Sequence, residues 1–293
     1  MLSRPVMPVQ DISYAHSSKT RSGRALIRLM ENTTGRRGLI HRARGYEADV
    51  AAGRSFFEVM AERYGLSLNV VSGSLDLIPR DGPVIFIANH PYGILDGLML
   101  GWIMARTRDD FRIMAHAVFD RAPDLGQHLL PVRFEVNRSA LAQNLATRRL
   151  ALGLLGEGGA VGVFPGGTVS TGARPFSRPM DPVWRSFTAR MVAKSRAQVV
   201  PIYFDGHTSR LFQIASHLHQ TLRLGLLIKE FRRRVDTPVR VAIGGPIGRE
   251  LLDPLAGDAK ATMDFLRKAT YELSPEPLVP DELGLEFEEF YRA

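Results

Sequence analysis

From residue 67 onward the chain breaks into short apolar runs rich in β-branched residues, at 67–71, 84–88, 112–115, 132–136, 160–164, 198–204 and 239–243. Runs in which apolar residues are consecutive rather than alternating suit strands covered on both faces. Helical periodicity alternates with them. It is present over 97–106, over 140–155 with Leu141, Leu145, Leu152 and Leu155, and over 182–196, where Asp181 reads as the N-cap and Pro182 as the first helical residue. The longest helical pattern spans 209–234 and ends on Lys229 and Arg232-Arg233-Arg234. Strands alternating with helices predict an α/β domain over 67–275, a mixed, mostly parallel sheet flanked by helices.

Upstream, residues 1–66 read as a basic helical region. Between Lys19 and Arg44 lie Lys19, Arg21, Arg24, Arg28, Arg36, Arg37, Arg42 and Arg44 with one acid, Glu31, interleaved with Leu26, Ile27, Leu29, Met30, Leu39 and Ile40. A basic amphipathic segment of this kind has two readings, a helix packed on its own domain or one lying on an anionic membrane surface. A further helix is predicted over 46–64, ended by Gly65. Residues 1–12 read as a loose arm with no secretory h-region, and residues 276–293 as an acidic, solvated tail. The one apolar stretch of membrane-spanning length, 82–105, is interrupted by Asn89-His90-Pro91, so strand, turn and helix describe it better.

Composition narrows the chemistry. The 293 residues are 45% hydrophobic and 23% charged, which is ordinary for a globular protein. They contain no cysteine, so a thiolate nucleophile, a thioester on the enzyme and a zinc-thiolate site are excluded. The formal charge of +8 favours anionic partners. There is no GxSxG elbow, Walker loop, GxGxxG or HExxH. His217 and His219 are two positions apart on a predicted helix and face different sides, and His116 and His207 lie near strand ends.

What stands out is the run Val84 to Gly97, a hydrophobic strand delivering His90 to its carboxyl end with Asp96 six positions later. Ligands of open α/β sheets bind at such ends. A histidine there can take a proton from an alcohol attacking a carbonyl, and a carboxylate on its other ring nitrogen fixes the tautomer. The alternative is that His90 caps a turn and Asp96 caps the following helix.

The segment resembles the first motif of the glycerophospholipid acyltransferase superfamily, which includes the lysophospholipid and acylglycerol-phosphate acyltransferases. Three further blocks match in order. Phe134-Glu135-Val136-Asn137-Arg138 looks like the second motif, Phe164-Pro165-Gly166-Gly167-Thr168 like the third and Val199-Val200-Pro201-Ile202 like the fourth, together covering about 67–210. The chain departs from the pattern in having five residues rather than four between His90 and Asp96. It also has Gly166 where the third motif carries glutamate, and Val169 where an arginine often follows. Arg174 and Arg178 are candidates for the missing positive charge, or plain surface residues.

The resemblance implies an α/β acyltransferase. It would move a fatty acyl group from acyl-CoA or acyl-carrier protein, as co-substrate, to a hydroxyl of a lysophospholipid or related lysolipid. His90 would be the general base and Asp96 its partner; Arg138 would hold an anionic headgroup, with Gly166, Gly167 and Thr168 shaping the acceptor end. Alcoholysis of a thioester needs no cofactor and no metal. The expected partners are the lysolipid, the acyl donor and an anionic membrane surface, without nucleic acid, and the expected location is cytoplasmic, on the inner face of the membrane. Lyso-ornithine-lipid O-acylation and a non-catalytic lipid-binding protein on the same fold are the alternatives.

Overall fold

The computed structural model describes residues 13–18, 20–116, 123–133 and 138–287. Helices α1 (Arg21–Thr34), α2 (Arg36–Ala43), α3 (Tyr46–Ala51) and α4 (Phe56–Arg63) precede the sheet. The helix expected over 46–64 is therefore two. From there β1 (Ser67–Ser72), β2 (Val84–Ala88), α5 (Ile94–Thr107), β3 (Phe111–His116), β4 (Leu129–Val132), α6 (Arg138–Gly156), β5 (Ala160–Val163), α7 (Ser186–Lys194) and β6 (Gln198–Phe204) follow. The order closes with α8 (Arg210–Leu218), α9 (Gln220–Arg232), β7 (Pro238–Ile243), α10 (Arg249–Leu252) and α11 (Ala259–Tyr271).

The described strands form one sheet in the order β1-β7-β6-β2-β5-β3-β4. Neighbours are parallel except β6 and β7, which pair antiparallel. The fold is α/β with a mostly parallel sheet, as the strand and helix pattern predicts. β2 lies between β6 and β5 and is buried at all its positions. Its alternate side chains face opposite layers. Val84, Phe86 and Ala88 pack with Leu39, Tyr46, Phe57 and Ile103, while Ile85 and Ile87 pack with Leu155, Met191, Val192 and Leu266. Helices upstream of residue 67 thus cover one face of the sheet. On α1, Ile27 is wholly buried, whereas Leu26 and Leu29 remain exposed.

Three differences from the sequence pattern have physical causes. Gly35, at φ 128°, breaks the basic segment into α1 and α2. The 209–234 pattern divides at His219, which is extended and whose Nδ1 accepts the Thr221 N–H at 3.0 Å, starting a second helix. Helix α7 begins at Ser186 with Arg185 as cap residue, not at Asp181, because the Asp181 side chain is engaged elsewhere. The strand expected over 132–136 is observed as Leu129–Val132, and residues 134–137 lie outside the described residues, as do 1–12 and 288–293.

The tail is not a solvated appendage as far as residue 287. Gly284 N–H donates to the Asp181 carbonyl at 2.9 Å, Leu285 N–H to the Thr171 carbonyl at 3.0 Å, and Glu286 pairs with Arg185 at 2.8 Å. Among the described residues no helix is long and apolar enough to cross a membrane.

Gly101 of α5 lies flush against the Phe57 ring of α4, and a methyl group there would overlap the ring. Gly101→Ala is expected to lower stability by about 1–3 kcal/mol through overpacking. Urea unfolding measures this, and an unchanged midpoint would mean that Phe57 moves aside freely.

Candidate active site

Because β6, β2 and β5 run parallel, their carboxyl ends share one edge of the sheet, and the loops leaving them meet there. Asn89 sets the first loop. It is buried, and its side chain makes two hydrogen bonds with the main chain of Phe204, Nδ2 donating to the carbonyl at 2.9 Å and Oδ1 accepting the N–H at 2.7 Å. The exit of β2 is thereby tied to the end of β6.

His90 follows, its side chain 19% exposed and its ring stacked on Phe164 at 4.4 Å between centroids. His90 Nδ1 lies 2.9 Å from Asp96 Oδ2. The same carboxylate oxygen accepts the N–H groups of Tyr92 at 2.7 Å and Gly93 at 2.9 Å. Gly93, at φ 81°, turns the chain into α5 so that both N–H groups point at the carboxylate. The five-residue spacer is therefore accommodated by a turn wrapped around Asp96. The two readings of Asp96, as helix cap and as histidine partner, hold together. With the carboxylate ionised, the hydrogen of the pair sits on Nδ1 and Nε2 is left as the acceptor.

Asp96 is completely buried, and Oδ1 has no hydrogen-bond partner among the described residues. Burial raises its carboxyl above the ordinary carboxylate value, with the hydrogen bond and charge of His90 and the two main-chain N–H groups acting in the opposite direction.

The loop after β5 carries the third block. Gly166 is buried, while Gly167 and Thr168 are half-buried. Gly167 N–H closes the turn on the Phe164 carbonyl at 3.0 Å and is committed there. Thr168 Oγ1 accepts from Arg223 Nη2 at 3.0 Å. Arg138 is exposed at the first position of α6, and the rest of its block, Phe134 to Asn137, lies outside the described residues. Arg178 is directed to the C-terminal segment, donating to the Pro277 carbonyl at 2.9 Å, and Arg174 is exposed. His207 Nδ1 engages the Thr208 carbonyl at 2.8 Å, and His217 Nε2 the Gly172 carbonyl at 3.0 Å.

Two residues that sequence reasoning missed complete the edge. Arg223 of α9 is buried; besides Thr168 it donates to Thr171 Oγ1 at 2.7 Å, Ser216 Oγ at 2.9 Å and the Val169 carbonyl at 2.7 Å. Its guanidinium lies over the Phe287 ring at 3.8 Å. No carboxylate is among these partners, and burial pulls its pKa down to about 9. The signal was an arginine alone within Thr221 to Ile228, otherwise almost wholly apolar. Asp181, read as a helix cap, is instead wholly buried behind His90 and accepts its N–H at 3.2 Å.

The arrangement offers a partly exposed imidazole with its tautomer set, beside a polar loop held by a buried cation. That is equipment for removing a proton from a hydroxyl.

Residues 45–276 match the model of a family described as Acyltransferase. Two lyso-glycine lipid O-acyltransferases are similar to this chain at 23% identity. The one from Phocaeicola vulgatus aligns over 214 residues, 71% of this chain and 74% of its own, and the one from Bacteroides thetaiotaomicron over 215 residues, 71% and 76%. Among solved structures, the 1-acyl-sn-glycerophosphate acyltransferase PlsC from Thermotoga maritima aligns with a TM-score of 0.44 at 15% identity, over 88% of this chain and 83% of that one.

A carboxyl whose value is higher in the folded than in the unfolded state holds its proton longer when folded. Stability is therefore lost as pH rises from the ordinary value of 3.8 through the raised one. Asp96→Asn, which never ionises, is expected to gain stability relative to the parent across that window. Urea unfolding of both proteins from about pH 4 to about pH 7 reads the difference. A difference that does not change with pH would remove Asp96 as the raised carboxyl.

Proposed function

The chain belongs to the acyltransferase family, and from that footing we propose that it transfers a fatty acyl group from an acyl thioester, acyl-CoA or acyl-carrier protein, to the hydroxyl of a lysolipid. The observation that carries this reading is the His90–Asp96 pair at the carboxyl edge of the sheet, 2.9 Å apart, with the imidazole reachable and the carboxylate buried.

In this reading Nε2 of His90 takes the acceptor's hydroxyl proton while the oxygen attacks the thioester carbonyl. Asp96 holds the ring and balances the imidazolium. The tetrahedral intermediate collapses, the C–S bond breaks, and the departing thiolate takes the proton back from His90. Transfer is direct in the sense that the 293 residues include no cysteine to carry an enzyme thioester. Arg138 binds an anionic part of the acceptor, and Gly166, Gly167 and Thr168 shape the polar end of the pocket. Arg223 holds Thr168 in place from α9.

Among acceptors, the two similar proteins named for a lyso-glycine lipid favour a lysolipid built on an amino acid, of which lyso-ornithine lipid is another example. The reaction occurs at an anionic membrane surface, approached through the basic, partly apolar outer face of α1.

Turnover tests the base. Thiol release is followed with acyl-CoA and acyl-carrier protein against lyso-glycine lipid, lyso-ornithine lipid and lysophosphatidate. His90→Ala is expected to lose about 10²–10⁴-fold in kcat while remaining folded. Near-normal turnover in the folded variant rejects His90 as base, and absence of thiol release with every pair favours a lipid-binding protein. For the membrane, sedimentation with anionic vesicles should weaken as salt rises. Arg21→Gln with Arg24→Gln should remove on the order of 1 kcal/mol per cation. Leu26→Ser with Leu29→Ser should remove the salt-resistant part. Unchanged binding in both pairs would place the membrane contact elsewhere.

A further inference from the structure

Asp181 lies in the loop before α7, and its carboxylate is closed off from solvent. Oδ1 accepts the His90 N–H at 3.2 Å and the Ser170 hydroxyl at 2.5 Å, and Oδ2 accepts the Trp184 indole N–H at 2.9 Å. Ser170 in turn donates its main-chain N–H to the His90 carbonyl at 2.8 Å. Both polar groups of the His90 main chain are thus held, the N–H by Asp181 and the carbonyl by Ser170. The residue that carries the imidazole has no freedom to shift without breaking a buried hydrogen bond.

The main chain of Asp181 is itself anchored. Its N–H donates to Tyr271 Oη at 2.8 Å, and its carbonyl accepts from Arg267 Nη2 at 3.2 Å and from Gly284 N at 2.9 Å. Across from the carboxylate is Gly166. A Cβ at 166 would lie 3.2 Å from Asp181 Cβ, 3.2 Å from Cγ and 3.3 Å from Oδ2, closer than carbon atoms ordinarily approach. A methyl group at 166 would require the Asp181 side chain to give way by a few tenths of an ångström.

We propose that Asp181 is a positioning residue for the acyl transfer, its buried carboxylate fixing the main chain of His90 and, through Ser170, the loop bearing Thr168, with glycine at position 166 leaving the carboxylate its room. The proposal rests on His90 being the base. It assigns to Asp181 no contact with substrate. A misplacement of the base by a few tenths of an ångström lowers the rate of the chemical step without altering how either substrate binds. A carboxylate that only stabilised the fold would change the unfolding midpoint and leave kcat alone.

The test uses Asp181→Asn, Gly166→Ala and the double variant of the full chain, each checked for folding by circular dichroism and thermal unfolding. In Asp181→Asn the amide must turn its NH2 toward one of the three donors. In Gly166→Ala the new methyl group pushes the carboxylate from its place. Each is expected to lower kcat about 10- to 100-fold with both KM values within about twofold of the parent. The double variant should be no slower than the slower single variant, because both act through the same carboxylate. Folded single variants with parental kcat, losses confined to KM, or losses that multiply in the double variant would overturn the proposal. Should Asp181→Asn fail to fold, Gly166→Ala decides by the same kcat and KM criteria. His90→Ala, run alongside, separates the two levels. If it retains turnover, the base assignment itself fails. If it is inactive while Asp181→Asn and Gly166→Ala turn over normally, only the role of Asp181 fails.

Discussion

A carboxylate removed from water must find donors already in place, and the turn after β2 is built to supply them to Asp96. One of its oxygens receives three N–H groups, two from the main chain of Tyr92 and Gly93 and one from the His90 ring. Meeting that demand bends the chain back on itself, places Gly93 at positive φ and starts α5, whose N-terminal dipole also favours the negative charge. The orientation of the imidazole follows from the same requirement. Helix start, turn shape and the histidine pair are consequences of one buried charge, so the extra residue between His90 and Asp96 is absorbed without separating them.

The edge around this turn is joined by buried polar side chains as well as by apolar and ring contacts. Asn89 ties β2 to β6, Asp181 ties the His90 main chain to Ser170, and Arg223 ties α9 to Thr168, Val169 and Thr171. Networks of this kind are costly when incomplete and specific when satisfied. They explain how three loops that leave different strands keep one geometry. They also account for the C-terminal segment, whose Gly284, Leu285 and Phe287 lie on the same residues and shield Arg223 from water.

The departures in the third block acquire a physical setting here. Gly166 leaves room for a carboxylate that arrives from another part of the chain, and a guanidinium reaches the Val169 carbonyl from α9 although position 169 itself carries no charge. The loop keeps its length and its glycine turn while its polar side chains come from elsewhere.

The strand and helix pattern, the mostly parallel sheet and the His90–Asp96 pair were legible along the chain. Each rests on local periodicity or on a spacing of six residues, which a strand end and one turn of backbone convert directly into a contact. Helix breaks at Gly35 and His219 were only partly legible, since periodicity continues across them and the cap geometry decides. Asp181 was misread because Asp followed by Pro is a good helix start by local rules. One of its carboxylate's partners, the His90 N–H, is 91 residues away. Arg223 meets Thr168 across 55 residues, and the tail returns to Thr171 and Asp181 across more than a hundred. Such contacts depend on which strands lie side by side and on which buried groups still need a donor or an acceptor. Side-chain packing around the finished sheet decided those, and no spacing within one segment encodes them.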